Sequence, residues 1–355
     1  MRIYRRLLIS ATLLAFAVIA LGAFVRLSDA GLGCPDWPGC YGHLLGVPDT
    51  SHEQQAALQA FPDRPVNATK AWKEMLHRYL AGTLGLLILS IFLLAWRQPV
   101  RRQHSPTLAT LLLGIVGMQA LLGMWTVTLL LKPVIVTLHL LGGMTTLSLL
   151  VALLLKAHRV SIQSVVSPMI RLLALCALLS VIVQIALGGW VSSNYAALAC
   201  QDFPLCQGQL QPEMDFKQAF GIHRELGMTT SGTLLPFTAL TAIHWSHRLG
   251  ALIVTFIVGL LAAVLIRTKH PQIKHWGWVL SGVLLLQISM GIANIVFGLP
   301  LALAVAHNMG AATLLATTLS INMLLSRQIA ENNSAMTSLA SLRSLQAQEP
   351  IKRVC

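Results

Sequence analysis

The sequence predicts an all-α polytopic membrane protein: eight transmembrane helices arranged as two pseudo-symmetric, parallel four-helix bundles. Three observations carry that prediction. Of the 355 residues, 55% are hydrophobic and only 10% charged, and the mean hydropathy is +0.70, which argues against a soluble domain. Eight segments reach the roughly 20 mostly apolar residues that a bilayer crossing needs, at approximately 7–25, 77–96, 107–131, 133–155, 168–191, 247–266, 276–298 and 301–324. Finally, LGAFVRLSDAGLGCPDWPGC, Leu21 to Cys40, returns without a gap as LGGWVSSNYAALACQDFPLC, Leu187 to Cys206.

The first span follows Arg2, Arg5 and Arg6. It is long for a signal-peptide core, no A-x-A site follows it, and the fifth span is its internal copy, so it stays a span. His77-Arg78 opens the second span, and Arg97, Arg101 and Arg102 lead to the third. Pro133 starts the fourth, and Lys156, Arg159 and Arg171 join it to the fifth. His247-Arg248 opens the sixth, and Arg267, Lys269 and Lys274 precede the seventh. None of these basic connections holds Asp or Glu; the acids lie in the long loops after the first and fifth spans, except Glu331 and Glu349 in the tail. The net charge of +13 is therefore a topology signal and not a nucleic-acid surface. By the positive-inside rule both termini are cytoplasmic and both long loops lie outside. A short basic start without a transit sequence favours a bacterial inner membrane. The expected organisation is residues 1–160 and 161–325 as the two four-helix halves, with 326–355 as a weakly ordered cytoplasmic tail carrying at most a short helix.

The repeat extends beyond the loops. His77-Arg78 matches His247-Arg248, Gln119-Ala-Leu-Leu-Gly123 matches Gln287-Ile-Ser-Met-Gly291, and His139-Leu-Leu-Gly142 matches His307-Asn-Met-Gly310. An even number of spans per half gives both halves one orientation, so the repeats are parallel. The result is a duplicated bundle.

A histidine inside the bilayer is costly without a partner. His77 begins its span, and His139 lies about 9 Å along the next span that enters from the same side. The pair can thus face each other across the first half, as His247 and His307 can across the second. Two imidazoles on facing helices suit axial ligation of haem iron, whereas zinc or copper calls for three or four protein ligands at one depth. A structural hydrogen bond to a neighbouring helix is the plainer reading of any one of them. Arg78 and Arg248 suit haem propionates or simple snorkelling to headgroups. The glycines Gly82, Gly123, Gly142, Gly143, Gly291 and Gly310 let helices or a flat macrocycle approach closely. The loops are read with a disulfide inside each cysteine pair, Cys34–Cys40 and Cys200–Cys206, structural or redox-active. Cys176 reads as a small apolar filler and Cys355 as a tail thiol.

The halves differ three residues before the span-opening histidine, where the first has Glu74 and the second His244. Positions i and i+3 share a helical face, so Glu74 would act as a base, or stabilise positive charge, beside whatever His77 holds. A helix N-terminal acid favoured by the macrodipole is the alternative. Equal histidines with unequal neighbours suggest a reactive first half and an electron-transfer second half.

Taken together, E-x-x-H-R at Glu74–Arg78, His139, His247 and His307, the paired cysteines, and the run from Gly22 to Cys40 resemble the haem A synthase family over about residues 5 to 325. The resemblance implies oxidation of the C8 methyl of haem O to a formyl group, with haem A destined for cytochrome oxidase. It also implies that Glu74, His77 and His139 form the substrate side and that His247 and His307 hold a resident haem b. Haem O synthase, a quinone or other electron acceptor and the cytochrome oxidase assembly machinery are the implied partners; homo-oligomerisation stays open. A dihaem b-type cytochrome, passing electrons from quinol to an outer acceptor, is the competing reading, and a transporter built on parallel repeats is a third.

Overall fold

The computed structural model of the chain describes residues 1–102, 105–158 and 167–346, with side chains as far as Ser326. Its helices are α1 (Arg2–Leu27), α2 (Ser51–Ala60), α3 (Ala68–Trp96), α4 (Gln98–Arg101), α5 (Thr107–Thr128), α6 (Pro133–Ala157), α7 (Pro168–Ser193), α8 (Phe216–Ala219), α9 (Phe237–Ile266), α10 (Pro271–Val296) and α11 (Leu301–Gln346). Eight of them are long and apolar enough to cross a membrane: α1, α3, α5, α6, α7, α9, α10 and the Leu301–Ser326 part of α11. Among the described residues the only β features are isolated bridges. Apolar side chains lie on both sides of these helices. Leu8, Ile88, Leu112, Leu150, Leu261 and Leu280 are fully enclosed between helices, while Leu86, Leu93, Leu172, Leu252, Phe256 and Leu285 point outward. A helix that is apolar all round matches a lipid surrounding.

Local signals set the ends. Proline occupies the first turn of α6, α7 and α10, where its missing N–H costs nothing. Asn67 and Ser167 cap α3 and α7 by accepting from the Lys70 and Ile170 amides. The exits of α1, α5, α7 and α10 share one geometry. In each a left-handed residue (Asp29, Leu130, Tyr195, Gly298) precedes an amide that reaches back to the last turn: Ala30 to Val25, Leu131 to Thr126, Ala196 to Val191 and Leu299 to Asn294. This is the Schellman pattern, which satisfies the final carbonyls.

Some expected boundaries are corrected. α3 and α9 begin at Ala68 and Phe237, so His77 and His247 do not open their helices; His77 sits about 14 Å inside α3. Lys70, Lys73 and Glu74 depress the hydropathy of the first turns of α3, which hides its true start, while the Asn67 cap fixes it. α5 and α10 stop at Thr128 and Val296, short of the expected 131 and 298, where the backbone turns left-handed. α11 runs to Gln346, longer than the short tail helix expected. Residues 347–355, including Cys355, and Arg159 lie outside the described residues.

Helix neighbours follow one pattern in each half of the chain. α1 packs on α3 and α6, α3 on α5, and α5 on α6; likewise α7 packs on α9 and α11, α9 on α10, and α10 on α11. α1, α6, α7 and α11 make the contacts between the halves. At the loop end, Arg26 donates to the Ser192 carbonyl at 2.7 Å and the Tyr195 hydroxyl donates to Asp29 at 2.7 Å. Arg26 and Ser192 are equivalent positions of the repeat, as are Asp29 and Tyr195. Positions meeting their own counterparts are the mark of a two-fold relation.

Candidate functional site

Each cysteine loop is a small closed unit. Cys34 and Cys40 are disulfide-bonded with Cα atoms 4.8 Å apart, and Cys200 and Cys206 with Cα atoms 4.7 Å apart. Tyr41-Gly42 and Gln207-Gly208 have positive φ throughout, the two-residue hairpin geometry that favours glycine second. Asp36 accepts from the Tyr41 and Gly42 amides at 2.6 and 2.8 Å, and Asp202 from the Gln207 and Gly208 amides at 2.8 Å each. Those amide bonds, Gly208 foremost, hold the Asp202 carboxyl below the usual range.

The loops are seated on α3 and α9 by the residues that surround the candidate ligands. Arg78 donates to the carbonyls of Asp36 (2.9 Å), Pro38 (3.2 Å) and Gly39, and Arg248 donates to those of Leu205 (2.7 Å), Cys200 (2.8 Å) and Asp202 (2.8 Å). The two arginines therefore act as loop clamps, an engagement that neither propionate pairing nor snorkelling anticipates. Glu74 is 5% exposed; it accepts from Arg78 at 2.5 Å and from the Cys34 amide at 3.1 Å. His244 is 4% exposed, and its Nδ1 accepts from the Cys200 amide at 3.2 Å. The unequal pair thus occupies the same socket, each touching the first cysteine of its loop. Glu74 lies beyond the first turn of α3, where the macrodipole alternative weakens.

The four histidines keep the repeat's symmetry. His77 on α3 lies against Gly22 of α1, His139 on α6 against Gly123 of α5, His247 on α9 against Gly188 of α7, and His307 on α11 against Gly291 of α10. A Cβ added at these glycines would meet the rings at 2.9, 3.5, 3.1 and 3.1 Å respectively. Each ring is thus pressed against a bare stretch of neighbouring backbone. Through those gaps the His77 ring reaches the Val18 carbonyl and the His307 ring the Gln287 carbonyl, one turn before the glycine. α3 and α6 stand diagonally in their ring of helices, as do α9 and α11, so each histidine pair comes from opposite helices of one ring.

The Nδ1 atoms of His77, His139 and His307 are buried without a hydrogen-bond partner. A buried nitrogen left unpaired costs about 1–3 kcal/mol, and coordination to a bound metal would relieve it. Among the described residues no three His, Cys, Asp or Glu side chains gather into a metal-ion cage, whereas axial ligation of a haem asks for only two. The donor set fits a haem in each half.

Cys176, read as a small apolar filler, faces outward on α7. Sequence reasoning also passed over Gln184. Its Nε2 lies 3.1 Å from His247 Nδ1 and donates to the His247 carbonyl at 2.9 Å. Setting the halves side by side, Gln184 against Val18, would have drawn attention to it.

Residues 5–319 match the COX15-CtaA family of cytochrome oxidase assembly proteins. A heme A synthase from Shewanella oneidensis is 45% identical over 310 residues, covering 87% of this chain and 92% of that protein. One from a Caulobacter species is 32% identical over 322 residues, covering 86% and 90%, and one from Halalkalibacterium halodurans is 26% identical over 338 residues, covering 91% and 98%. The chain belongs to the haem A synthase family. Membership agrees with the expected multi-pass architecture and paired disulfides, and it leaves the dihaem cytochrome reading without support.

Proposed function

We propose that this protein oxidises the C8 methyl of haem O to a formyl group and so produces haem A for cytochrome oxidase. The observation that carries the reading is the duplicated histidine pair combined with one exchanged neighbour, Glu74 for His244, in a chain whose relatives are heme A synthases. His77 and His139 hold the substrate haem O, and His247 and His307 hold a resident haem b. When bound, haem b supplies one-electron redox chemistry.

Converting a methyl to a formyl group gains one oxygen and releases electrons and protons. Water is the proposed oxygen source and a quinone-class acceptor the proposed sink for the electrons. Glu74, one helical turn from His77, accepts a proton released at the methyl. Arg78 keeps that carboxylate oriented through their ion pair at 2.5 Å. Arg78 and Arg248 hold the two disulfide loops over the ends of α3 and α9 and limit water entry. Haem O synthase hands over the substrate, and the loops face the periplasm of a bacterial inner membrane with both termini cytoplasmic.

Pigment extracted from membranes co-expressing this protein and haem O synthase tests the reading. Formyl haem appears if the proposal holds; unchanged haem O and haem b would overturn it.

A further inference from the structure

The strongest departure from repeat symmetry that touches a candidate ligand is on α7 and α9. In the second half Gln184 contacts both the ring and the backbone of His247: Nε2 stands 3.1 Å from Nδ1 and donates to the His247 carbonyl at 2.9 Å. The amide end lies over the bare backbone of Gly250, where an added Cβ would meet Gln184 Oε1 and push the amide aside. In the first half the same two positions are Val18 and Leu80. There the His77 ring has only the Val18 main-chain carbonyl, one turn along α1, and its Nδ1 has no partner. Gln184 Oε1 is itself buried without a partner.

We infer that Gln184, seated by Gly250, is the positioning residue that makes the second half a retaining haem site, while Val18 and Leu80 leave the first half exchangeable. This rests on the proposed assignment of a resident haem to His247 and His307 and adds its structural cause. An amide held against both the ring and the backbone of a ligand histidine fixes the orientation of its imidazole. A valine does not. An enzyme that must keep one haem and release another needs an inequality of this kind, and the second half shows it at both histidines, since Gln287 Nε2 also lies 3.4 Å from His307 Nε2.

The test uses the full-length protein purified from cells lacking haem O synthase. Gln184→Val installs the first half's own residue, and Gly250→Ala displaces the amide without removing it. Both variants are expected to lose haem b to apomyoglobin about 10-fold faster or more, with a midpoint potential displaced from the wild-type value. The shift in potential is a readout that a merely structural role would not move. The reciprocal graft, Val18→Gln with Leu80→Gly, is expected to raise the ratio of haem to protein. Unchanged haem loss and potential in both Gln184→Val and Gly250→Ala would overturn the inference while leaving the proposed function standing. A wild-type protein that binds no haem would instead remove the reading on which it rests.

Discussion

The two halves of this chain share a scaffold and differ in a few side chains at its centre. Both have the Schellman exits, the Asp-stitched disulfide hairpin, the arginine clamp and the glycine-backed histidines. The first half places a carboxylate against its cysteine loop, and the second places an imidazole in the same socket. The first half offers its α3 histidine a main-chain carbonyl, and the second offers its α9 histidine a side-chain amide. Duplication supplied two equivalent histidine pairs, and on the proposed function the exchanged residues give them different work.

The comparison breaks most sharply at Glu74. Glu74→Gln keeps an oxygen for the Cys34 amide but removes the charge beside Arg78. Haem A formation is expected to fall by roughly 100-fold or more, with haem content unchanged, whereas His244→Gln costs no more than a few-fold. Equal losses for the two, followed as formyl haem per protein, would mean that the socket only seats the loops. A smaller effect is expected at the disulfides. Removing Cys34–Cys40 or Cys200–Cys206 by paired serine substitution should each lower stability by about 2 kcal/mol, visible as a lower thermal midpoint. Only the first pair should also reduce activity, because Glu74 hangs on the Cys34 amide. Smallest is an acid effect on the second hairpin. Asp202 has a lowered folded-state pKa, so its contribution is present above the ordinary carboxylate value and lost as pH falls through the lowered one. Amide exchange at Gln207 and Gly208 should therefore accelerate, beyond the intrinsic rate, only below about pH 4, and Asp202→Asn should abolish that step.

Much of this was legible from residue order. Hydropathy marks eight spans because each needs a continuous apolar run, and the recurrence of Leu21–Cys40 at Leu187–Cys206 gives the parallel repeat and both disulfides. The starts of α3 and α9 were not legible: the first turns of α3 carry Lys70, Lys73 and Glu74, which a hydropathy window reads as loop, and the histidine at 247 was placed at the start of α9 by its match to His77. That displacement put His77 and His247 at helix openings when they lie well inside. The engagement of Arg78 and Arg248 with loop carbonyls was hidden for a different reason. Main-chain acceptors carry no sequence signature, so a loop that folds back onto a helix announces itself only in three dimensions. Gln184 and Gly250 were readable in principle, but only by looking for where the repeats disagree, and apolar neighbours made Val18 and Leu80 look unremarkable.

The account turns on a division of labour between two histidine pairs. Haem content and electron paramagnetic resonance of the purified protein, compared between His77→Ala with His139→Ala and His247→Ala with His307→Ala, address it directly. Loss of the first pair is expected to abolish haem A formation yet leave a low-spin haem b signal, and loss of the second pair to remove that signal. Survival of the low-spin haem without His247 and His307, or its disappearance without His77 and His139, would contradict the account.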